Sequence, residues 1–319
     1  MASSEQVSPV QVRHACQAMG ARFEFVLCGE DEGVLHAAAQ VAVDEVLLWH
    51  ERLTPFEPGS AIARLNASAG SAGVAIDGET MAFLVRVQEL ARATGGLFDP
   101  TVGPLMRAWG FRGDPPDPAQ AARLPVGIEH LELDAGRGRA RLAAEGMALD
   151  AGAVGKGWAL DRAAEVLREA GVSRALLHGG TSSVLALPGA GAPWRIGLGE
   201  RGEWPDVLLG AGESGALGVS EPGGRKVEFG GEMLGHVLDP RTKRPAEGAR
   251  FAAVLAPTAV EADAWSTAAL VAGGRPAGTP ETITTYVVPL SGPPEGPRGV
   301  SSKVFVRRDD AASVAEGMR

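Results

Sequence analysis

Apolar residues recur along this chain with two periods, and the switches between them outline its elements. ARFEFVL at 21–27 alternates as a half-buried strand does, whereas VLHAAAQVAVDEVLLWHERL at 34–53 repeats its apolar residues every three to four positions, which predicts a long amphipathic helix. An irregular stretch, TPFEPGSAIARLN, follows. Asp77 then stands as an N-cap for a second helix over 79–93, which Gly95 and Gly96 stop. GDPPDPAQAARLPVG at 113–127 is rich in proline and reads as a surface connection, after which IEHLELD, RARLA and MALD read as short strands. WALDRAAEVLREAG at 158–171 predicts a helix ending at Gly171, and RALLHGG and SVLALPG are strand-like. VEADAWSTAALVAG at 260–273 predicts another helix and TITTYVVPL at 282–290 a late strand. Strands and helices interleave without an internal repeat or a heptad pattern, so the fold class is α/β, in the sense of an α+β mixed sheet.

A chain of 319 residues with 45% apolar content can bury a sizeable core. It reads as one domain over 1–319, with a division into two subdomains expected near 112–127. The formal net charge of -9 argues against a nucleic-acid footprint and against a polybasic membrane surface. No apolar run approaches the ~20 residues of a membrane span. The start, MASSEQVSPVQVRH, has neither the apolar core of a signal peptide nor a lipobox cysteine, so the expected location is cytoplasmic. Cys16 and Cys28, the only cysteines, are too few for a disulfide framework or a CxxC metal site and read as buried small hydrophobes.

The run with the most chemistry in it is DAGAVGKGWALD at 150–161, where three glycines and a lysine join an apolar segment to a helix. Glycines let a backbone approach an anion closely, and the first helical turn offers N–H groups at the positive end of the helix dipole. Lys156 adds a mobile charge. The spacing is neither GxxxxGK[ST] nor GxGxxG, so, taken alone, this run reads first as a tight strand-to-helix turn with a solvated lysine. Asp263 and Thr267, four apart on the last helix, share one face and carry oxygen ligands suited to a hard cation, although such pairs are common on ordinary helices.

Three further segments, GLFDPTVGPLMRAWGF at 96–111, GHVLDPRTKRP at 235–245 and PTAVEADAWST at 257–267, complete a set with DAGAVGKG. In this order, and over nearly the whole chain, they resemble the ApbE family of flavin transferases, which use FAD to attach FMN to a protein threonine or serine. The resemblance implies a nucleotide cleft between subdomains, a magnesium ion held by the Ala153 carbonyl, Asp263 and Thr267, and FAD as substrate. It also implies an acceptor flavoprotein as partner. Flavin and pyrophosphate contacts fall on Met19, Phe56, Leu97, Phe98, Asp99, Asp150, Lys156 and His236. His236 is the first choice of general base and Asp263 the second, because a metal-bound carboxylate is a poorer base. Each residue also has a plain reading. Met19 and Phe56 suit a core, Asp99 and Asp150 suit caps or turns, and a turn with Asp239 and Pro240 suits a structurally bonded His236.

The chain departs from the family pattern at identifiable places. Gly179-Gly180-Thr181 stands where Gly-Gly-Asp is common, and Val219-Ser220-Glu221 where a Thr-Ser-Gly turn is common. Lys243 replaces the glycine of DPxTG, and Phe56 replaces a stacking tyrosine. Three readings therefore stand: a working FMN transferase, a divergent relative that binds a flavin nucleotide or a partner without catalysis, and an FAD pyrophosphatase in which water takes the place of the protein hydroxyl.

Overall fold

The computed structural model describes residues 10–113, 115–198, 206–210 and 215–291, with a short strand at 305–306. The first nine residues, on which the absence of a leader was argued, lie outside the described residues, as does position 114 of the proline-rich connection. The elements run β1 (Val10–Ala18), β2 (Ala21–Gly29), α1 (Glu32–Leu53), α2 (Ala61–Ala67), β3 (Val74–Ala75), α3 (Gly78–Ala93), α4 (Gly103–Ala108) and α5 (Pro118–Ala121). Then come β4 (Leu131–Asp134), β5 (Arg139–Leu142), α6 (Gly155–Glu169), β6 (Arg174–Gly179), β7 (Ser183–Pro188), β8 (Trp194–Ile196) and β9 (Asp206–Leu209). The last part holds β10 (Gly215–Ser220), β11 (Lys226–Phe229), β12 (Glu232–Gly235), β13 (Leu238–Asp239), β14 (Arg244–Pro245), β15 (Ala249–Ala256), α7 (Ala259–Ala272), β16 (Thr284–Pro289) and β17 (Phe305–Val306).

Seven strands form the main sheet in the order β1-β2-β6-β7-β10-β15-β16. Every neighbouring pair is antiparallel, which makes the expected mixed architecture one of the α+β kind. Helices α1, α6 and α7 cover one face over the main core, which holds Phe23, Phe25, Trp49 and Trp265. The other face carries a smaller core that includes Val184, Leu217 and Phe251 and is closed by β8 and β9. A third cluster around Trp109 joins α4, α5 and the β11–β12 hairpin. Among the described residues, no helix is long and apolar enough to cross a membrane.

Local chemistry accounts for the frame. Asp31 caps α1 by accepting the Val34 N–H at 3.0 Å, and Asp77 caps α3 through Thr80 in the same way. Met19 and Gly20 join β1 to β2 as a two-residue turn with φ 51° and 70°, the positive-φ pair that a twisted hairpin requires. Glycine adopts that conformation freely, but methionine does so at a cost, an observation that points to a role for Met19 beyond the turn. Helix α7 is apolar nearly all round, as a helix buried on most sides must be.

Several boundaries differ from the sequence reading. Helix α6 begins at Gly155, three residues before the expected start, so the glycine-lysine turn is itself the first helical turn. MALD contributes a single bridge, between Val102 and Ala148, in place of a strand. The connection at 113–127 contains the short α5, capped by Asp117. Cys16 and Cys28 are half-buried rather than buried.

Candidate active site

One end of the main sheet's strands gathers the β1–β2 turn, the β6–β7 turn, the end of β10 and the start of β15, and the N-terminus of α6 lies beside it. A cavity of about 1720 Å³ opens there. All of Met19, Phe56, Leu97, Phe98, Asp99, Asp150, Ala153, Lys156, His236, Asp263 and Thr267 line it. Residues from six separate stretches of sequence therefore meet in one place.

The floor of the cavity is the contact between α6 and α7. Asp263 is buried, and its carboxylate accepts the Gly157 N–H and the Ser183 hydroxyl, each at 2.8 Å. Burial pushes its pKa up to about 6, opposed by the Lys156 charge and by those two hydrogen bonds. Thr267 Oγ1 donates to the Asp263 carbonyl at 3.0 Å. Four residues along α6 from Gly157, Asp161 accepts the N–H groups of Ala259 and Val260 at 2.8 and 2.9 Å, so a carboxylate from one helix caps the first turn of the next. The approach is close enough that a Cβ on Gly157 would lie 2.4 Å from the Ala259 carbonyl oxygen, and one on Gly218 of β10 would lie 2.3 Å from that of Ala262. The first turn of α7 is thus gripped from both sides by positions without a side chain.

The N-cap residue of α6, Val154, makes no side-chain cap, and the first-turn bond comes from α7 instead. Gly155 bonds back to Ala151 and Gly157 to Asp263, and Lys156 lines the cavity between them. Asp150, at the start of the turn, accepts the Gly152 N–H and forms an ion pair with Arg112. The turn-capping reading of Asp150 therefore describes part of what it does.

His236 follows β12. Burial holds its pKa below the ordinary 6.5, the nearby Arg225 and Lys156 charges add to this, and a hydrogen bond with the Arg225 backbone and the Asp150 charge oppose it. Its Nδ1 is buried without a hydrogen-bond partner among the described residues. A turn with Asp239 does not hold the ring: the Asp239 carboxylate accepts three bonds of 2.8–2.9 Å from Arg241 instead.

Phe56 is 66% exposed on the loop after α1, which excludes a core role. Met19 is half-buried, its N–H donates to His50 Nδ1 at 3.2 Å, and its sulfur lies beside Gly155. Phe98 is buried and Leu97 half-buried. Asp99 does not cap α4, whose N-cap is Val102 without a side-chain bond. Its carboxylate instead accepts the N–H and hydroxyl of Thr101 and the Ile128 N–H, bonds that fasten this cavity wall to the 126–128 segment.

The departures have structural addresses too. Thr181 and Glu221 are exposed on the cavity wall, and Val219 donates its N–H to the Ser182 carbonyl at 2.7 Å. Lys243 sits at φ 57°, a left-handed position that explains why glycine suits it. It is retained here by Nζ bonds to the carbonyls of Leu124 and Ala122 at 2.8 and 3.2 Å, and its own carbonyl accepts the Trp109 indole N–H at 2.8 Å.

Sequence reasoning missed Arg112, Ser183 and Asp161. The last had a signal, since it closes the same glycine-lysine run and lies four residues from Gly157 on one helix face.

A family model described as the ApbE family matches residues 19–280. The FAD:protein FMN transferase of Salmonella typhimurium is 32% identical over 239 residues, which cover 70% of this chain and 68% of that one. The protein of the same name from Escherichia coli K12 is 31% identical, covering 69% and 67%. Among solved structures, an ApbE protein from Thermotoga maritima superposes with a TM-score of 0.80 at 24% identity, covering 91% of this chain and 97% of that one. The apo flavinyl transferase ApbE of Pseudomonas stutzeri gives 0.77 at 23%, covering 95% and 99%.

Proposed function

This chain belongs to the ApbE family, an enzyme of the FAD:protein FMN transferase class, and we propose that it moves FMN from FAD onto a threonine or serine of an acceptor flavoprotein with the aid of magnesium, in the cytoplasm. The observation that carries the detail is the convergence of Lys156, His236, Asp263 and Thr267 with Phe56 and Met19 on one cavity. Its volume of about 1720 Å³ exceeds the ~300–1,000 Å³ of a pocket for a drug-sized ligand, which suits a dinucleotide with an acceptor segment at its mouth.

The donor set around Asp263 fits a hard cation. A carboxylate offers about four lone-pair sites, and two of those on Asp263 are used by Gly157 and Ser183. Thr267 Oγ1 donates its hydrogen to the Asp263 carbonyl, which leaves its lone pairs for a ligand. Together with the Ala153 carbonyl these oxygens would hold the ion, which when bound supplies positive charge against the pyrophosphate oxygens.

The protein's own groups then divide the work. His236, kept neutral at pH 7 by its depressed pKa, takes the proton of the acceptor hydroxyl. That oxygen forms a bond to the FMN-side phosphorus as the bond from phosphorus to the bridging oxygen breaks, and AMP leaves with the electron pair. Lys156, at the positive end of the α6 dipole, favours the charge that builds on the phosphates. Phe56 and Met19 offer surfaces for the flavin.

Purified protein incubated with FAD and magnesium, with and without a panel of candidate acceptor flavoproteins, tests the reading through release of AMP and protein-bound flavin. Acceptor-dependent AMP that disappears in excess chelator and in Asp263→Ala is expected. Full activity under either condition overturns the magnesium assignment, AMP with free FMN in the absence of acceptor identifies a pyrophosphatase, and FAD binding without turnover identifies a non-catalytic relative.

A further inference from the structure

Arg112 follows α4 on the cavity wall and belongs to none of the motifs that identify the site. Its guanidinium pairs with Asp150, both side chains being largely buried at 19% and 11% exposure. The same guanidinium stands over the Phe56 ring, its Cζ 5.1 Å from the centroid. Phe56 itself is 66% exposed on an irregular loop, where a ring has many conformations of similar energy. Asp150, by contrast, is fastened by the Gly152 N–H at 2.8 Å and by its own N–H to the Pro100 carbonyl at 2.7 Å. A path therefore runs from the rigid glycine-lysine turn through Asp150 and Arg112 to an otherwise open ring.

We propose that Arg112 is a positioning residue for the flavin: held by Asp150, it covers one face of Phe56 and presets the other face as the stacking platform for the isoalloxazine. The proposal rests on the flavin reading of the cavity. Arginine is suited to the task because its guanidinium can bond a carboxylate through one nitrogen while its delocalised charge stands over an aromatic face, which the compact ammonium of lysine does less well. A ring ordered before the ligand arrives spares the ligand the loss of freedom on binding.

Arg112→Ala, Arg112→Lys, Phe56→Ala and the Arg112→Ala, Phe56→Ala double variant would be titrated with FAD, followed by quenching of flavin fluorescence, and with ADP, followed by calorimetry. Unfolding curves would accompany them as a check on folding. Both Arg112 variants are expected to weaken FAD by about two- to fivefold, the size of a cation–π contact, to leave ADP affinity unchanged and to reduce the quenching of bound FAD. The double variant should bind FAD no more weakly than Phe56→Ala alone. Unchanged FAD affinity, additive losses, or an equal loss for ADP overturns the proposal, the last by making Arg112 a phosphate contact. Wild-type protein that binds ADP but not FAD would remove the flavin reading itself, an outcome distinct from any seen in the variants alone.

Discussion

Gly157→Ala is the sharpest test of the α6–α7 contact, because the change that helix propensity favours is the one the packing forbids. Alanine gains up to about 1 kcal/mol over glycine in a helix interior. Here its Cβ would stand 2.4 Å from the Ala259 carbonyl oxygen and 2.7 Å from Asp263 Oδ2, where ordinary contact begins at 3.4 Å, so the helices must part by 1.0 Å (3.4 − 2.4). Overpacking of that kind costs about 1–3 kcal/mol. The same movement stretches the 2.8 Å bond from the Gly157 N–H to the Asp263 carboxylate, and a hydrogen bond to a charged group is worth about 1.5–3 kcal/mol. The balance is a loss of about 1.5–5 kcal/mol. Gly155→Ala two residues earlier is the control, since its Cβ meets nothing closer than Leu53 Cδ1 at 3.5 Å. Thermal unfolding should therefore place the two variants on opposite sides of wild type or nearly so, with Gly157→Ala lower by several degrees at about 2–4 °C per kcal/mol. Calorimetry with Mn²⁺ should show weakened ion binding in Gly157→Ala alone. Equal stability of the two variants, or wild-type Mn²⁺ affinity in Gly157→Ala, would refute the reasoning.

Other outcomes follow from the same geometry. His236→Ala should slow FMN transfer far more than it weakens FAD binding, and in wild type the acidic limb of the rate should fall below pH 6.5, because the depressed pKa keeps the base neutral down to that range; a limb above pH 7 would count against it. By linkage the unfolded chain takes up this proton first as pH falls through 6.5, so His236 removes stability on the acid side, and His236→Ala should flatten that slope in urea unfolding. Asp161→Asn should set an amide N–H₂ against one of the two α7 N–H groups and lower stability by about 1–3 kcal/mol; an unchanged melting temperature would show that the cap contributes nothing. Thr181→Asp with Glu221→Gly should tighten FAD binding or raise turnover if these departures weakened the site, and calorimetry that finds no change in either would show that they are neutral.

The sequence disclosed the elements whose pattern is strong and hid those that depend on neighbours. Helices α1, α3 and α7 stand where periodicity and caps put them. Strand β15 (ARFAAVLA) escaped notice because alanine-rich segments favour helix, and only pairing with β10 and β16 makes it a strand. β10 (GALGVS) has little strand propensity of its own, and β1 lies at the sheet edge, where half of its positions face solvent. The candidate site residues came from the family resemblance, supported at Lys156 and at the Asp263–Thr267 pair by spacing; the structure lines one cavity with all of them, and their roles are those proposed above. Arg112 and Ser183 were not legible, since each acts through a partner distant in sequence, Asp150 for one and Asp263 for the other.

Lys243 has a bearing on the order in which substitutions can enter this chain. A lysine arriving at φ 57° before the carbonyls of Ala122 and Leu124 faced it would have carried the full cost of a left-handed residue, about 1–2 kcal/mol, with no return. Once those bonds exist, going back to glycine relieves the backbone but removes the donor from the part-buried Leu124 carbonyl and leaves a looser unfolded chain to order. Because both acceptors are main-chain oxygens, what the lysine depends on is the path of the 118–124 backbone and not its side chains. A deletion or insertion that shifts this segment should accordingly turn Lys243 from a tolerated left-handed residue into a strained one, and glycine there should then restore stability.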